Sequence, residues 1–159
     1  MITVRFITLG TLKEGYLREA AAEYEKRLGA FCRFENIQLK EEKLSDSPSE
    51  NEIKIALAKE SEKILAEIPP RSYCVAMCVE GKQLSSEELA ERLEKVANET
   101  ATVCFIIGSS FGLSATVKQR ADMRLSVSKL TFPHQLMRVV LLEAVYRAFN
   151  IQKGTRYHK

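Results

Sequence analysis

No apolar run in this 159-residue chain approaches the roughly 18 residues of a membrane-crossing helix, and its first residues, MITVRFITLG, lack the basic-then-apolar layout of a signal peptide. The expectation is a soluble, cytoplasmic protein. Only two histidines are present, His134 and His158, far from the four cysteines, and no two cysteines form a CxxC pair. Zinc sites are built from such clusters, so no metal is expected. Cys32, Cys74, Cys78 and Cys104 fall in apolar or alternating runs, which suits buried, reduced thiols better than disulfides. Internal repeats, low-complexity tracts and interdomain linkers are also missing. With 45% hydrophobic residues, the chain can build one good core, and a single domain over 1–159 follows.

Acidic residues are scarce at one end. Residues 1–100 hold 15 basic and 19 acidic side chains, a balance of −4, whereas residues 101–159 hold 9 and 2, a balance of +7. A basic C-terminal third suits a polyanion such as nucleic acid, although the same asymmetry also serves solubility alone.

What is present is an alternation of strand and helix. Ile2 to Leu9 reads as a strand ending at Gly10, and Leu12 to Leu28 as a helix closed by Gly29. Phe31 to Lys40 is a weaker strand, and Lys43 to Asn51 a polar loop. A helix over Glu52 to Ile68 stops at Pro69 and Pro70. Tyr73 to Val79, continuously apolar, fits a central parallel strand, with Gly81 and Lys82 turning the chain. Ser85 and Glu88 form a capping box for a helix carrying Leu89, Leu93 and Val96. Thr102 to Ile107 is another buried strand, Gly108 to Gly112 a loop, and Ser114 caps a short helix ending near Ala121. Arg124 to Val127 is a last strand, and Ser128 to Phe132 a turn. Pro133 then leads into a helix from His134 to about Asn150. The pattern predicts an α/β fold, a mainly parallel sheet with helices on both faces.

In that last helix Arg138 and Arg147 fall on opposite faces, so no wide polar face is left for water. Such a helix needs a core on one side and invites a second subunit on the other. Ligands of parallel sheets bind beyond the carboxyl ends of the strands. Three such ends stand out: Met77 to Gly81, Gly108 to Gly112, and Val127 to Phe132. The tail, KGTRYHK, has no acidic residue and offers a ring, an imidazole and cations, a composition suited to a phosphate-bearing base. A basic C-terminus is also commonly a solvated fray.

The segments GTLKE (Gly10 to Glu14), EYEKRLG (Glu23 to Gly29), EGK (Glu80 to Lys82), FIIGSSFGL, LSVSKLTFPHQLMRVVLLEAVYRAF and the terminal YHK together resemble the ribosomal RNA large-subunit methyltransferase H family, of the SPOUT class. The resemblance implies a C-terminal trefoil knot, a homodimer, and S-adenosylmethionine as methyl donor. The implied reaction is methylation of N3 of a pseudouridine in helix 69 of 23S rRNA, on assembled ribosomes. By motif, it places the cofactor at Met77, Gly108, Val127, Ser128, Lys129, Leu130, Thr131 and Phe132, and assigns substrate and activity to Arg147, Tyr157 and His158. It also implies a composite site in which one protomer's tail reaches the other's cofactor. One departure stands out: the family shows Gly-Gly after the fourth strand, and here Gly108 is followed by Ser109. A side chain there either weakens cofactor binding or points to solvent.

In that reading Arg147 stabilises charge developing on the base, Tyr157 stacks or positions it, and His158 orients it or relays its proton. Two other classes fit parts of the pattern. A non-catalytic ribosome-associated RNA-binding protein needs only the basic third. A flavodoxin-like signalling domain matches the alternation but leaves YHK unexplained.

Overall fold

The computed structural model describes residues 1–159. In chain order the elements are β1 (Thr3–Leu9), α1 (Gly15–Leu28), β2 (Arg33–Leu39), α2 (Glu50–Ala66), β3 (Tyr73–Gln83), α3 (Ser86–Glu99), β4 (Thr102–Ile107), α4 (Ala115–Arg120), β5 (Met123–Ser126) and α5 (His134–Lys153). The five strands form one sheet, order β2-β1-β4-β3-β5, with every pairing parallel. Parallel neighbours need crossovers, and the helices that supply them cover both faces.

Alternation along the strands divides the core in two. Val4 and Phe6, Val75 and Met77, and Val103, Phe105 and Ile107 face one side, packed with residues of α1, α3 and α5. Ile7 and Leu9, Cys74 and Ala76, and Cys104 and Ile106 face the other, against Ile64 of α2 and Val117 of α4. This is the layered α/β arrangement that the sequence pattern predicts.

Local chemistry sets the helix ends. Ser49 and Ser85 each accept a backbone N–H three residues on and are answered by Glu52 and Glu88, so both α2 and α3 begin with complete capping boxes. The first of these starts α2 at Glu50, inside the stretch expected as loop. A Schellman arrangement closes α5. Gly154 takes φ +64°, its N–H donates to the Ile151 carbonyl, and the Thr155 N–H donates to that of Asn150. The helix therefore runs to Lys153, past the expected end.

Gly81 and Lys82 do not turn the chain away from the sheet. They lie within β3, where the pairing with β5 is irregular: Met77 and Lys82 both stand opposite Leu125. The intervening residues bulge, as extra residues in one of two paired strands must. A Cβ on Gly81 would lie 2.7 Å from the Leu125 carbonyl carbon, so only glycine permits the crossing. The start of α5 is anchored at the carboxyl end of β1 by Arg138, which is buried and donates to the carbonyls of Leu9 and Gly10.

Candidate active site

Beyond the carboxyl ends of β3, β4 and β5 lies a cleft of about 600 Å³. That is the size range of small-molecule sites. Of the eight residues expected at the cofactor, seven line it: Met77, Gly108, Val127, Ser128, Leu130, Thr131 and Phe132. Lys129 does not. His134 and Met137 from the first turn of α5 complete one wall.

The loop after β5 is shaped by its own serines. Ser126 Oγ donates to the Ser128 carbonyl at 2.8 Å, and the Leu130 N–H donates to Ser128 Oγ at 3.0 Å. These hydroxyls therefore fold the loop, which leaves backbone groups and apolar side chains to meet a ligand. The loop after β4 is equally constrained. A Cβ on Gly108 would come within 2.4 Å of the Gly112 carbonyl oxygen, and Gly112 itself takes φ +82°. Ser109 borders the cleft, yet its hydroxyl turns neither into it nor to solvent: it is buried and donates to Glu60 Oε1 of α2 at 3.1 Å. The family departure thus introduces no obstruction.

Arg147, Tyr157 and His158 also come together, but elsewhere. Glu143, one turn before Arg147, accepts from its Nε at 2.8 Å through Oε1, and from the Tyr157 hydroxyl at 2.6 Å through Oε2. The Arg147 guanidinium lies 4.7 Å from the centre of the Tyr157 ring, which packs edge-on against Tyr146 at 4.8 Å. The tail is therefore docked, not frayed. His158 Nε2–H donates to Glu87 at 2.7 Å, and its Nδ1 faces an Arg147 N–H at 3.2 Å. Arg147 and Glu87 can supply only a donor and an acceptor, which fixes the Nε2–H tautomer with a lone pair on Nδ1. Burial, then hydrogen bonding to the Glu143 carboxylate, pushes the Tyr157 phenol above its ordinary range. The His158 hydrogen bond holds the Glu87 carboxyl below its own.

None of these three residues lines the cleft. Met137 at the cleft and Arg147 are ten residues apart on α5, about 15 Å along the axis. Sequence reasoning missed Glu87 and Glu60, whose partners lie 71 and 49 residues away and leave no local signal. Glu143 stands one turn before Arg147, a spacing that suits an ion pair on a helix. No group of His, Cys, Asp and Glu side chains able to hold a metal ion is present, and no helix is long and apolar enough to cross a membrane.

The all-parallel sheet, with its cleft beyond β3, β4 and β5, defines a SPOUT methyltransferase: the family model described as a predicted SPOUT methyltransferase matches residues 2–158. A probable methylase family protein from Haemophilus influenzae shares the fold, with a TM-score of 0.54 at 14% identity over 98% of this chain and 70% of the other. Among close relatives, a ribosomal RNA large subunit methyltransferase H of Streptococcus thermophilus is 52% identical over 98% of this chain and 99% of its own. One from Bacillus pumilus is 49% identical over 99% and 100%. The chain belongs to the ribosomal RNA large subunit methyltransferase H family. Its chemistry requires a methyl donor.

Proposed function

We propose that this chain, a single SPOUT unit over residues 1–159, methylates N3 of a pseudouridine in helix 69 of 23S rRNA on assembled ribosomes in the cytoplasm, as a homodimer using S-adenosylmethionine. The observation that carries the reading is the separation of two assembled half-sites: a cleft lined by seven of the expected cofactor residues, and a docked Arg147–Tyr157–His158 cluster about 15 Å along α5. Neither half is complete alone. A two-fold partner laying its tail over this cleft would join them.

The cleft fits the cofactor by its own features. It has room for a nucleoside, an apolar lining for an adenine ring, and at Gly108 a backbone with no space for a side chain. Met77, Leu130 and Phe132 would hold the adenosyl and methionine portions. When bound, S-adenosylmethionine supplies an electrophilic methyl group on a sulfonium.

The chain's own residues do the rest. Arg147 stabilises negative charge on the base, Tyr157 stacks against it, and His158 takes the N3 proton on Nδ1 once the Arg147 N–H that faces that nitrogen has turned to the base. Glu87 on the Nε2–H then stabilises the imidazolium formed, as a carboxylate orients histidine in catalytic triads. Positioning N3 in line with the methyl carbon supplies most of the acceleration.

The partner follows from apolar surface. Val79, Phe111 and Leu130 stand 50%, 45% and 72% exposed on the cleft rim, and Leu136 in the first turn of α5 is 37% exposed. A second copy would cover them. The trefoil knot belongs to this reading too, supported by the close crossing of Gly81 and Leu125.

The test is transfer of labelled methyl from S-adenosylmethionine to assembled ribosomes and to free 23S rRNA in parallel, with the product mapped. Label confined to ribosomes, at a helix 69 pseudouridine, is expected. No label and no cofactor binding would favour the non-catalytic RNA-binding alternative. Composite assembly has its own test: coexpressed Arg147→Ala and Gly108→Ala chains, each inactive alone, should regain activity as a mixed dimer. No regain would place both halves in one protomer.

A further inference from the structure

The Gly108–Ser114 loop is the wall between two cavities. Ser109, Ser110 and Phe111 line both the cleft and a second space of about 390 Å³, whose other walls come from residues 41–45 and from α2. A wall with space on both sides is not set by packing alone. Its position depends on whatever polar contacts tie it down.

Two consecutive residues of α2 provide them, one near each end of the loop. Glu60, 3% exposed, accepts the Ser109 hydroxyl on Oε1 at 3.1 Å and the Glu42 N–H on Oε2 at 3.1 Å. Ser61, 6% exposed, shares a hydrogen bond with the hydroxyl of Ser114, which also accepts the Val117 N–H to cap α4. Between these anchors the Gly112 N–H donates to the Ser109 carbonyl at 2.9 Å and closes the loop on itself. Moving Ser109 would therefore move Gly112, and with it the carbonyl against which Gly108 is packed.

We propose that Glu60, through Ser109, is a positioning residue for the methyl-donor cleft: it holds the Gly108–Gly112 backbone at the position that closes on the cofactor. The inference rests on the cofactor assignment proposed above and extends it to a residue outside the cleft. Ser109 is then not a tolerated departure from Gly-Gly but half of a latch. Where glycine follows Gly108, the loop must be held some other way. Glu60 also ties the 40–49 segment to the same carboxylate, so the two walls of the second cavity share one anchor.

The experiment compares the unaltered full-length protein with Ser109→Ala and Glu60→Gln. Calorimetry gives the dissociation constant for S-adenosylmethionine, ribosome methylation gives kcat and KM, and amide exchange reports on residues 108–113. Ser109→Ala removes the donor from the loop. It should weaken cofactor binding and raise KM for the donor roughly tenfold, as loss of a bond to a buried charged group does. The kcat at saturating donor should stay unchanged, with faster exchange at Gly112. Glu60→Gln leaves one acceptor oxygen for two donors, the Ser109 hydroxyl and the Glu42 N–H, and should raise KM for the methyl donor in the same direction as Ser109→Ala, again with kcat unchanged. Unchanged binding and exchange in Ser109→Ala would overturn the inference. So would a fall in kcat and melting temperature with no selective rise in KM, since that is the signature of general destabilisation. If the unaltered protein bound no S-adenosylmethionine, the cofactor assignment itself would fall and this inference with it. Tight binding by both unaltered and Ser109→Ala proteins would remove this inference alone.

Discussion

Glu143 and Tyr157 are joined by a 2.6 Å hydrogen bond across the C-terminal cap of α5, and the other oxygen of the same carboxylate grips Arg147. One acidic side chain thus sets both a ring and a guanidinium. The pair Glu143–Arg147 is about a quarter to a third exposed, so its value lies in alignment more than in stability.

Arg147→Ala should lower ribosome methylation by a factor of about a hundred or more, the usual cost of losing a group that stabilises developing charge. Cofactor affinity, measured by calorimetry, should change less than about twofold, because Arg147 is remote from the cleft. Equal loss of both would make Arg147 a structural partner of Glu143 only.

Tyr157→Phe keeps the ring against Tyr146 and Arg147 and loses only the hydroxyl bond to Glu143. Most activity should remain, whereas Tyr157→Ala should be severely impaired. The phenol's raised pKa gives a pH signature. Its stabilisation is fully present below the unfolded tyrosine value near 10 and is lost as pH rises through the higher folded value. The stability gap between the unaltered protein and Tyr157→Phe should be flat from about pH 6 to about pH 9 and shrink above that in urea titrations. A gap that already narrows near neutrality would exclude this hydrogen bond as its source.

Gly108→Ala forces a Cβ to within 2.4 Å of one backbone oxygen and 2.6 Å of its carbon. Neither neighbour is a flexible side-chain end, so the loop must shift. Destabilisation of about 1–3 kcal/mol in denaturant titrations is expected, with loss of cofactor binding. An alanine variant that binds normally would show that the backbone is not held as tightly as the geometry requires.

Glu60 gives a pH effect of opposite slope from the usual carboxylate. Burial is the largest influence on it and pushes its pKa up. A raised folded value means the stabilisation is complete below the unfolded glutamate value near 4.3 and is lost as pH rises through the folded one. The unaltered protein should therefore lose stability relative to Glu60→Gln as pH rises above the unfolded glutamate value near 4.3. A constant difference across that range would mean that the hydrogen bonds from Ser109 and Glu42 fully offset burial.

The elements were legible wherever apolar period and end signals coincided. The continuous run Tyr73 to Val79, the Ser85–Glu88 box and the apolar helix after Pro133 all appear as expected. The extension of β3 through Gly81 and Lys82 was not legible, because glycine reads as a turn until a crossing strand is known to lie against it. The start of α2 was misplaced by two residues because Ser49 sits in a polar run that also reads as loop. Residues of the cleft could be found from strand ends alone, since parallel sheets put ligands there. Glu60, Ser61 and Glu87 could not, for they act on residues distant in sequence and carry no motif. That the cleft and the Arg147 cluster stand apart is likewise a property of helix length, which no single residue reports.

That length has a consequence for what the gene can tolerate. The first turn of α5 touches the cleft and its later turns carry Glu143, Arg147 and the tail, so in the proposed site the helix would work as a ruler with a marked zero. One residue inserted between Met137 and Glu143 would swing the Arg147 end by about 100° and displace it by about 1.5 Å, whichever residue it was. Seven would nearly restore the face but overshoot by about 10 Å. Side chains along this stretch can drift within the limits of packing, while the count of residues between the two ends cannot.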